Sequence, residues 1–205
     1  MWCPVLVMVS FFPPDPPADD IHDGTPSPEP EAWWRPPEDE LPVFLPLGER
    51  LAVTPSLAVV LVGARVYSQG VEFRVERRFR RNGLPERDWQ LAQWAFHGPI
   101  GPGEPGRLRY GVALGDGDKV LLDGPFNASP FGEPPARSLT QTDGNGSGSD
   151  RFYRSEDGLW LWPLPPEGPL EFVMEWTAQG VPESRVVLDG GRLRELAAGV
   201  TRFWE

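Results

Sequence analysis

Two histidines, His22 and His97, and a single cysteine, Cys3, are all that this 205-residue chain offers of the side chains that most often bind transition metals. Three such groups do not complete the four-ligand nitrogen and sulfur set of a zinc site, and no metal is expected. A Ser-His-acid triad would have to use His97, because His22 lies in a proline- and acid-rich tract. The surroundings of His97, WAFHGPIG, read as a packed turn; an imidazole that binds a ligand or moves a proton is the competing reading. Glu171 and Glu175 alternate along one strand face and are the best-placed carboxylates for glycoside chemistry, against a plain solvated row. Asp143, Asn145 and Ser147, followed by Gly148, match the first positions of a calcium loop. Arg154 then stands where the loop needs a bidentate Glu, so a flexible glycine-serine loop is expected instead. The glycine runs lack the lysine and the strand-to-helix setting of a phosphate loop, and no nucleophile-elbow motif is present. No catalytic residue and no cofactor are therefore expected.

Two other features can bind. Trp160 and Trp162 are two apart, project from one face of a strand and precede PLPP. They form the most distinctive aromatic patch in the chain, suited to a sugar or a peptide if exposed and to core packing if not. The second feature is Arg77 in GVEFRVERRFRRN, residues 70–82. On this strand Val71, Phe73, Val75 and Phe79 alternate inward, while Glu72, Arg74, Glu76, Arg78 and Arg80 alternate outward. The outward row neutralises itself and carries no aromatic ring to stack a base, so it reads as a wet sheet face and not as a grip for nucleic acid. Arg77 breaks the pattern by falling on the core face. It must sit at a bulge, snorkel to the rim or meet a buried carboxylate. The candidate ligand-binding residues are thus Trp160, Trp162, Arg77 and His97.

The composition bounds what surrounds them. The formal net charge is −11, from 19 basic and 30 acidic residues, which opposes general affinity for polyphosphates. Proline (26) and glycine (23) break helices and favour short strands joined by turns. One cysteine allows no internal disulfide, and a reducing, cytoplasmic setting is expected, with secretion as the minor alternative. Residues 2–12, WCPVLVMVSFF, resemble the apolar stretch of a signal peptide, but no Lys or Arg precedes them and no small-residue cleavage site follows. An extra edge strand or a misassigned start codon are the other readings. No apolar run is long enough to span a bilayer, and no membrane partner is expected.

Residues 1–40 form a proline- and acid-rich segment expected to be extended or disordered, except that Trp33 and Trp34 should dock on the domain's own core or on a partner. The domain is expected over residues 41–205. SLAVVLVGARVYS reads as a central strand, turning at Gln69-Gly70 into the arginine-rich strand. That register pairs Val66 with Phe73, Ala64 with Val75 and Val60 with Phe79, and sets Arg65 opposite Arg74 and Arg77 opposite Val62. Pro85, Glu86 and Asp88 open a short helix to about Phe96. Leu108, Tyr110, Val112 and Leu114 alternate into an Asp116-Gly117 hairpin. Residues 126–150 read as a long loop, and residues 152–164 as strand, Asp157-Gly158 turn, strand. Leu170, Phe172, Met174 and Trp176 make another strand face, SRVVLD another strand, and Asp189 caps a last helix closed by Gly199.

The C-terminal part of the chain from Gly158 onward, GLWLWPLPPEGPLEFVMEW and its terminal helix and Trp, resembles uncharacterised proteins of high-GC bacteria that share W-x-W-P-L-P-P-x-G-P-L. The resemblance implies no activity. It implies that the segment before Trp33 is not part of the shared domain.

The fold expected is all-β: a two-layer antiparallel β-sandwich, immunoglobulin-like or jelly-roll-like, with one or two short helices. A partly closed barrel is the runner-up. The function expected is a non-catalytic binding or scaffold module whose partner is another protein, self-association included. A carbohydrate or peptide binder using exposed tryptophan, and a hydrolase built from carboxylates and His97, are the alternatives.

Overall fold

The computed structural model describes residues 31–96, 105–122 and 133–204. The apolar stretch 2–12, His22 and His97 lie outside the described residues. The described residues fold as an all-β sandwich with two short helices. One sheet has five antiparallel strands in the order β2 (Val43–Val53), β3 (Leu57–Val66), β4 (Val71–Arg80), β8 (Phe152–Trp162), β7 (Ser138–Gly148). The other has four: β10 (Val181–Asp189), β9 (Pro169–Trp176), β5 (Arg109–Leu114) and β6 (Lys119–Leu121). A two-stranded ribbon pairs β1 (Glu40–Leu41) with β11 (Thr201–Arg202). Helix α1 covers Glu86–Phe96 and helix α2 covers Gly190–Ala197. Among the described residues no helix is long and apolar enough to cross a membrane.

The alternation of each strand builds the core. Leu108, Tyr110, Val112 and Leu114 are buried from one sheet, as are Leu170, Phe172, Met174 and Trp176. Val71, Phe73, Val75 and Phe79 face them from the other, and Phe73 meets Phe172 with ring centroids 5.2 Å apart. Burial of such aromatic side chains contributes about 1.5–3 kcal/mol each. Helix α1 closes one end: Trp89 and Phe96 are buried, and both stack on Phe79. The side chain of Asp189 accepts the Gly191 amide and caps α2 as expected.

The β3–β4 pairing differs from the expected register by two residues. Val66 pairs with Val71 and Ala64 with Phe73, because the connection is Tyr67–Gly70, closed by the Tyr67 amide donating to the Gly70 carbonyl at 2.9 Å. A shift of two keeps every side chain on its face, so the core assignment survives. Gly70 does not adopt a positive φ. It is glycine for space: a Cβ there would lie 2.5 Å from both the Leu161 carbonyl oxygen and a ring carbon of Trp160. A bulge at Val62 then changes the parity of β3. Leu57, Val59 and Leu61 are buried before it and Ala64 and Val66 after it, so Leu57 and not Val60 meets Phe79. Arg77 stands opposite Val59, not Val62, and Arg65 opposite Glu72, not Arg74.

Two further readings are corrected. Residues 138–148, read as part of a loop, are edge strand β7, whose polar and glycine-rich sequence pairs through its backbone. Residues 152–162 form one unbroken strand with Asp157 and Gly158 in its middle. Gly158 leaves room for side chains that cross above it; a Cβ there would lie 2.5 Å from Thr142 Oγ1 and 2.7 Å from Arg74 Nη1. Trp33, only 3% exposed, and Glu40, 7% exposed, pack against the sandwich.

Candidate functional site

Arg77 does meet a buried carboxylate. On the inner face of the five-stranded sheet β4 and β8 run side by side, with Arg77 opposite Ser155 and Val75 opposite Asp157. Arg77 and Asp157 are therefore diagonal neighbours. The Arg77 Nε lies 2.8 Å from Asp157 Oδ2, and Nη2 donates to Asp157 Oδ1 and to Ser155 Oγ, each at 2.9 Å. Nη1 donates to the carbonyl of Phe96 at 3.1 Å, one of the last carbonyls of α1, which have no partner inside the helix. The guanidinium also lies 5.0 Å from the Phe96 ring and 5.6 Å from the Trp176 ring.

The facing sheet completes the cluster. Tyr110 of β5 donates its hydroxyl to Asp157 Oδ2 at 2.9 Å. Burial, and then the Asp157 carboxylate beside it, push the Tyr110 hydroxyl well above the usual tyrosine range. The group therefore stays neutral and keeps donating. Asp157 is fully buried, and Arg77, Ser155 and Tyr110 are nearly so. The cluster is closed between the sheets and matched within itself. It fastens one sheet to the other and holds the end of α1.

The tryptophan patch also turns inward. Trp160 is fully buried on the outer face of the five-stranded sheet, edge-on to Tyr67 at 5.5 Å. Trp160 is packed and not an exposed platform: its indole Nε1 donates to the Ala32 carbonyl at 2.9 Å. Trp162 is half-buried. The covering piece is a turn at Glu31–Arg35, in which the Trp34 amide donates to the Glu31 carbonyl at 2.9 Å. Such a turn leaves its later carbonyls without partners of its own. The sheet supplies them: Ser138 Oγ donates to the Trp33 carbonyl at 2.8 Å and Thr140 Oγ1 to the Trp34 carbonyl at 3.0 Å. Trp33 and Trp34 thus dock on the chain's own domain. Nothing in residues 31–40 signals which strand receives them, because β7 is hidden by its polar composition.

The outer charged row is neutralised as expected, and more densely. Arg74 Nη1 lies 2.6 Å from Asp143, and the guanidinium lies 3.6 Å from both Glu72 and Glu156. Arg65 pairs with Glu72 at 3.2 Å, and Thr142 donates to Glu72 at 2.7 Å. Glu72 is buried by these partners and not wet. Asp143, Asn145 and Ser147 belong to strand β7, so neither the calcium loop nor the flexible loop forms there. Glu171 pairs with Arg185 at 2.5 Å and Glu175 with Arg109 at 3.4 Å, a solvated row on the outside of the four-stranded sheet.

Two adjoining exposed aromatic side chains stand next to the β1–β11 ribbon. The Phe203 amide donates to the Asp39 carbonyl at 2.9 Å, extending the β1–β11 ribbon. Phe203 is 56% exposed, Trp204 81% and Leu41 48%, and the two aromatic rings lie 5.9 Å apart. No feature of the sequence marked these residues as a site beyond their being aromatic. The chain matches no protein family, no curated protein and no solved structure, so these surfaces have to be read from their own chemistry.

Proposed function

We propose that this chain is a non-catalytic protein-binding module that acts in a reducing, cytoplasmic compartment. The observation that carries the reading is the exposed, adjoining pair Phe203–Trp204. Large aromatic side chains are the residues that dominate binding energy when a partner desolvates them. Here two of them stand next to each other on a backbone held in place by the β1–β11 ribbon, so little ordering entropy remains to be lost on binding. The enzyme reading draws no support from Arg77, whose charge is already matched by Asp157 in a closed core.

The test is affinity capture with the immobilised full chain, compared with a Phe203→Ser/Trp204→Ser chain of unchanged thermal stability. Proteins retained by the first and released by the second support the reading. Identical retention by both chains sinks it.

A further inference from the structure

The docked turn Glu31–Arg35 has the features of a ligand, not of a core element. Residues 31–38 pair with no strand, so removing them breaks no sheet ladder. Their hold on the sandwich is a plug in a socket. Three side chains on two strands, Trp160, Ser138 and Thr140, donate to three consecutive carbonyls, those of Ala32, Trp33 and Trp34. Trp33 fills the socket and is 3% exposed, and Trp34 lies edge-on to it at 5.6 Å.

The chain next to the plug is only partly buried. Arg35, Pro36, Pro37 and Glu38 border an open cavity of about 430 Å³ that also reaches Asp39 and Arg202. Two consecutive prolines favour an extended, semi-rigid connection that holds the plug out once it is released. Beyond this hinge the chain is pinned. Asp39 pairs with Arg202 at 2.5 Å, the Glu40 carboxylate accepts the Ser68 amide at 2.9 Å and the Ser68 hydroxyl, and β1 pairs with β11. Release therefore ends at the hinge and leaves the sandwich intact.

We infer that the socket is a peptide-binding site that accepts the Glu31–Arg35 turn of a second copy of this chain, so that two copies exchange plugs. The occupant follows from the fit: the socket's three donors meet three consecutive carbonyls of this turn, and its Trp33 ring is buried there. Exchange of an identical element makes the same contacts between copies as within one, which makes it a low-cost route to association. Within one chain the short hinge holds the plug at an effective concentration on the order of millimolar, so the intact chain stays closed at micromolar concentrations. The exchange becomes visible when one chain lacks a working plug and another a working socket. It uses residues other than Phe203 and Trp204, and it stands or falls separately from the reading above.

The experiment mixes two full-length variants. Trp33→Ala/Trp34→Ala keeps the socket and loses the plug. Ser138→Val/Thr140→Val keeps the plug and weakens the socket. Trp34→Ala alone and Thr140→Val alone replace either double variant that loses its cooperative thermal transition. Sedimentation should find each variant monomeric alone and a one-to-one complex in the mixture, which a synthetic peptide of residues 28–38 dissolves. A mixture no heavier than its components at concentrations tenfold above the affinity of that peptide for the plug-less variant overturns the inference. So does a mixed complex indifferent to the peptide, or a plug-less variant that fails to bind the peptide at all.

Discussion

Arg77 and Asp157 are eighty positions apart in sequence and 2.8 Å apart in space, diagonal neighbours on the inner face of β4 and β8. Neither belongs in a core alone. An unpaired buried charge costs far more than a missing apolar contact, and pairing with hydrogen bonds to both partners offsets that cost. Together with Tyr110 the pair gives the two sheets one definite way to face each other.

Arg77→Met should destabilise the fold by about 3–5 kcal/mol, because Asp157 is left charged and buried without its partner. Arg77→Met combined with Asp157→Leu and Tyr110→Phe should recover most of that loss. Urea unfolding of the three chains checks both statements; equal losses in single and combined variants would contradict them.

Tyr110 predicts an alkaline limit. Its folded-state hydroxyl is raised by burial and by the charge of Asp157. The folded chain thus holds its proton longer than the unfolded one. The contribution to stability is complete below the ordinary tyrosine value, roughly pH 10, and is lost as pH rises through the folded value. Thermal melts should fall above about pH 10, and Tyr110→Phe should flatten that slope. Tyr67, raised by burial and then by Glu72, adds to the slope in the same direction.

The acid limb has its own marker in the β5–β6 hairpin. Hydrogen bonds from Arg137, and then from the Asp118 amide, lower the Asp116 carboxyl from 3.8 to about 2. The sign is opposite to that of Tyr110. The contribution is present above the ordinary value and disappears as pH falls from 3.8 toward 2. A carbon-detected NMR titration should find the Asp116 midpoint displaced downward, and Arg137→Gln should return it toward the ordinary carboxylate range.

Gly70→Ala should cost about 1–3 kcal/mol, the usual range for overpacking. Its methyl group would meet the Leu161 carbonyl and the Trp160 ring, both held by the sheet. Denaturation of this chain beside Gly117→Ala separates the two kinds of glycine. Gly117 has open space around it and a φ of +94°, so alanine there meets backbone strain instead of a clash.

Much of this architecture was legible. The alternation in residues 108–114 and 170–176 places the same side chains in the core that the sandwich buries. Asp189 signals the last helix, and residues 85–96 signal α1. Outward charges of β4 pair with one another, Arg74 with Glu72 and Arg78 with Glu76, as their spacing implies. Two strands were not legible. β7 carries almost no apolar period, since its ladder with β8 is made by backbone groups that every residue owns. Asp157-Gly158 has the composition of a hairpin turn, yet β8 runs through it, because Gly158 is needed as space beneath Arg74 and Thr142. With β8 read as two pieces, the carboxylate that Arg77 requires could not be placed.

Local chemistry alone determined which faces are greasy, where the helices start and that Arg77 needed a partner. These follow from the two-residue period of strands and from capping groups within a few residues of each other. Only the tertiary structure decided the partner of Arg77, the burial of Trp160 and the seat of Trp33 on β7 and β8. Each of these joins segments distant in sequence, and no spacing along the chain encodes which strand lies beside which.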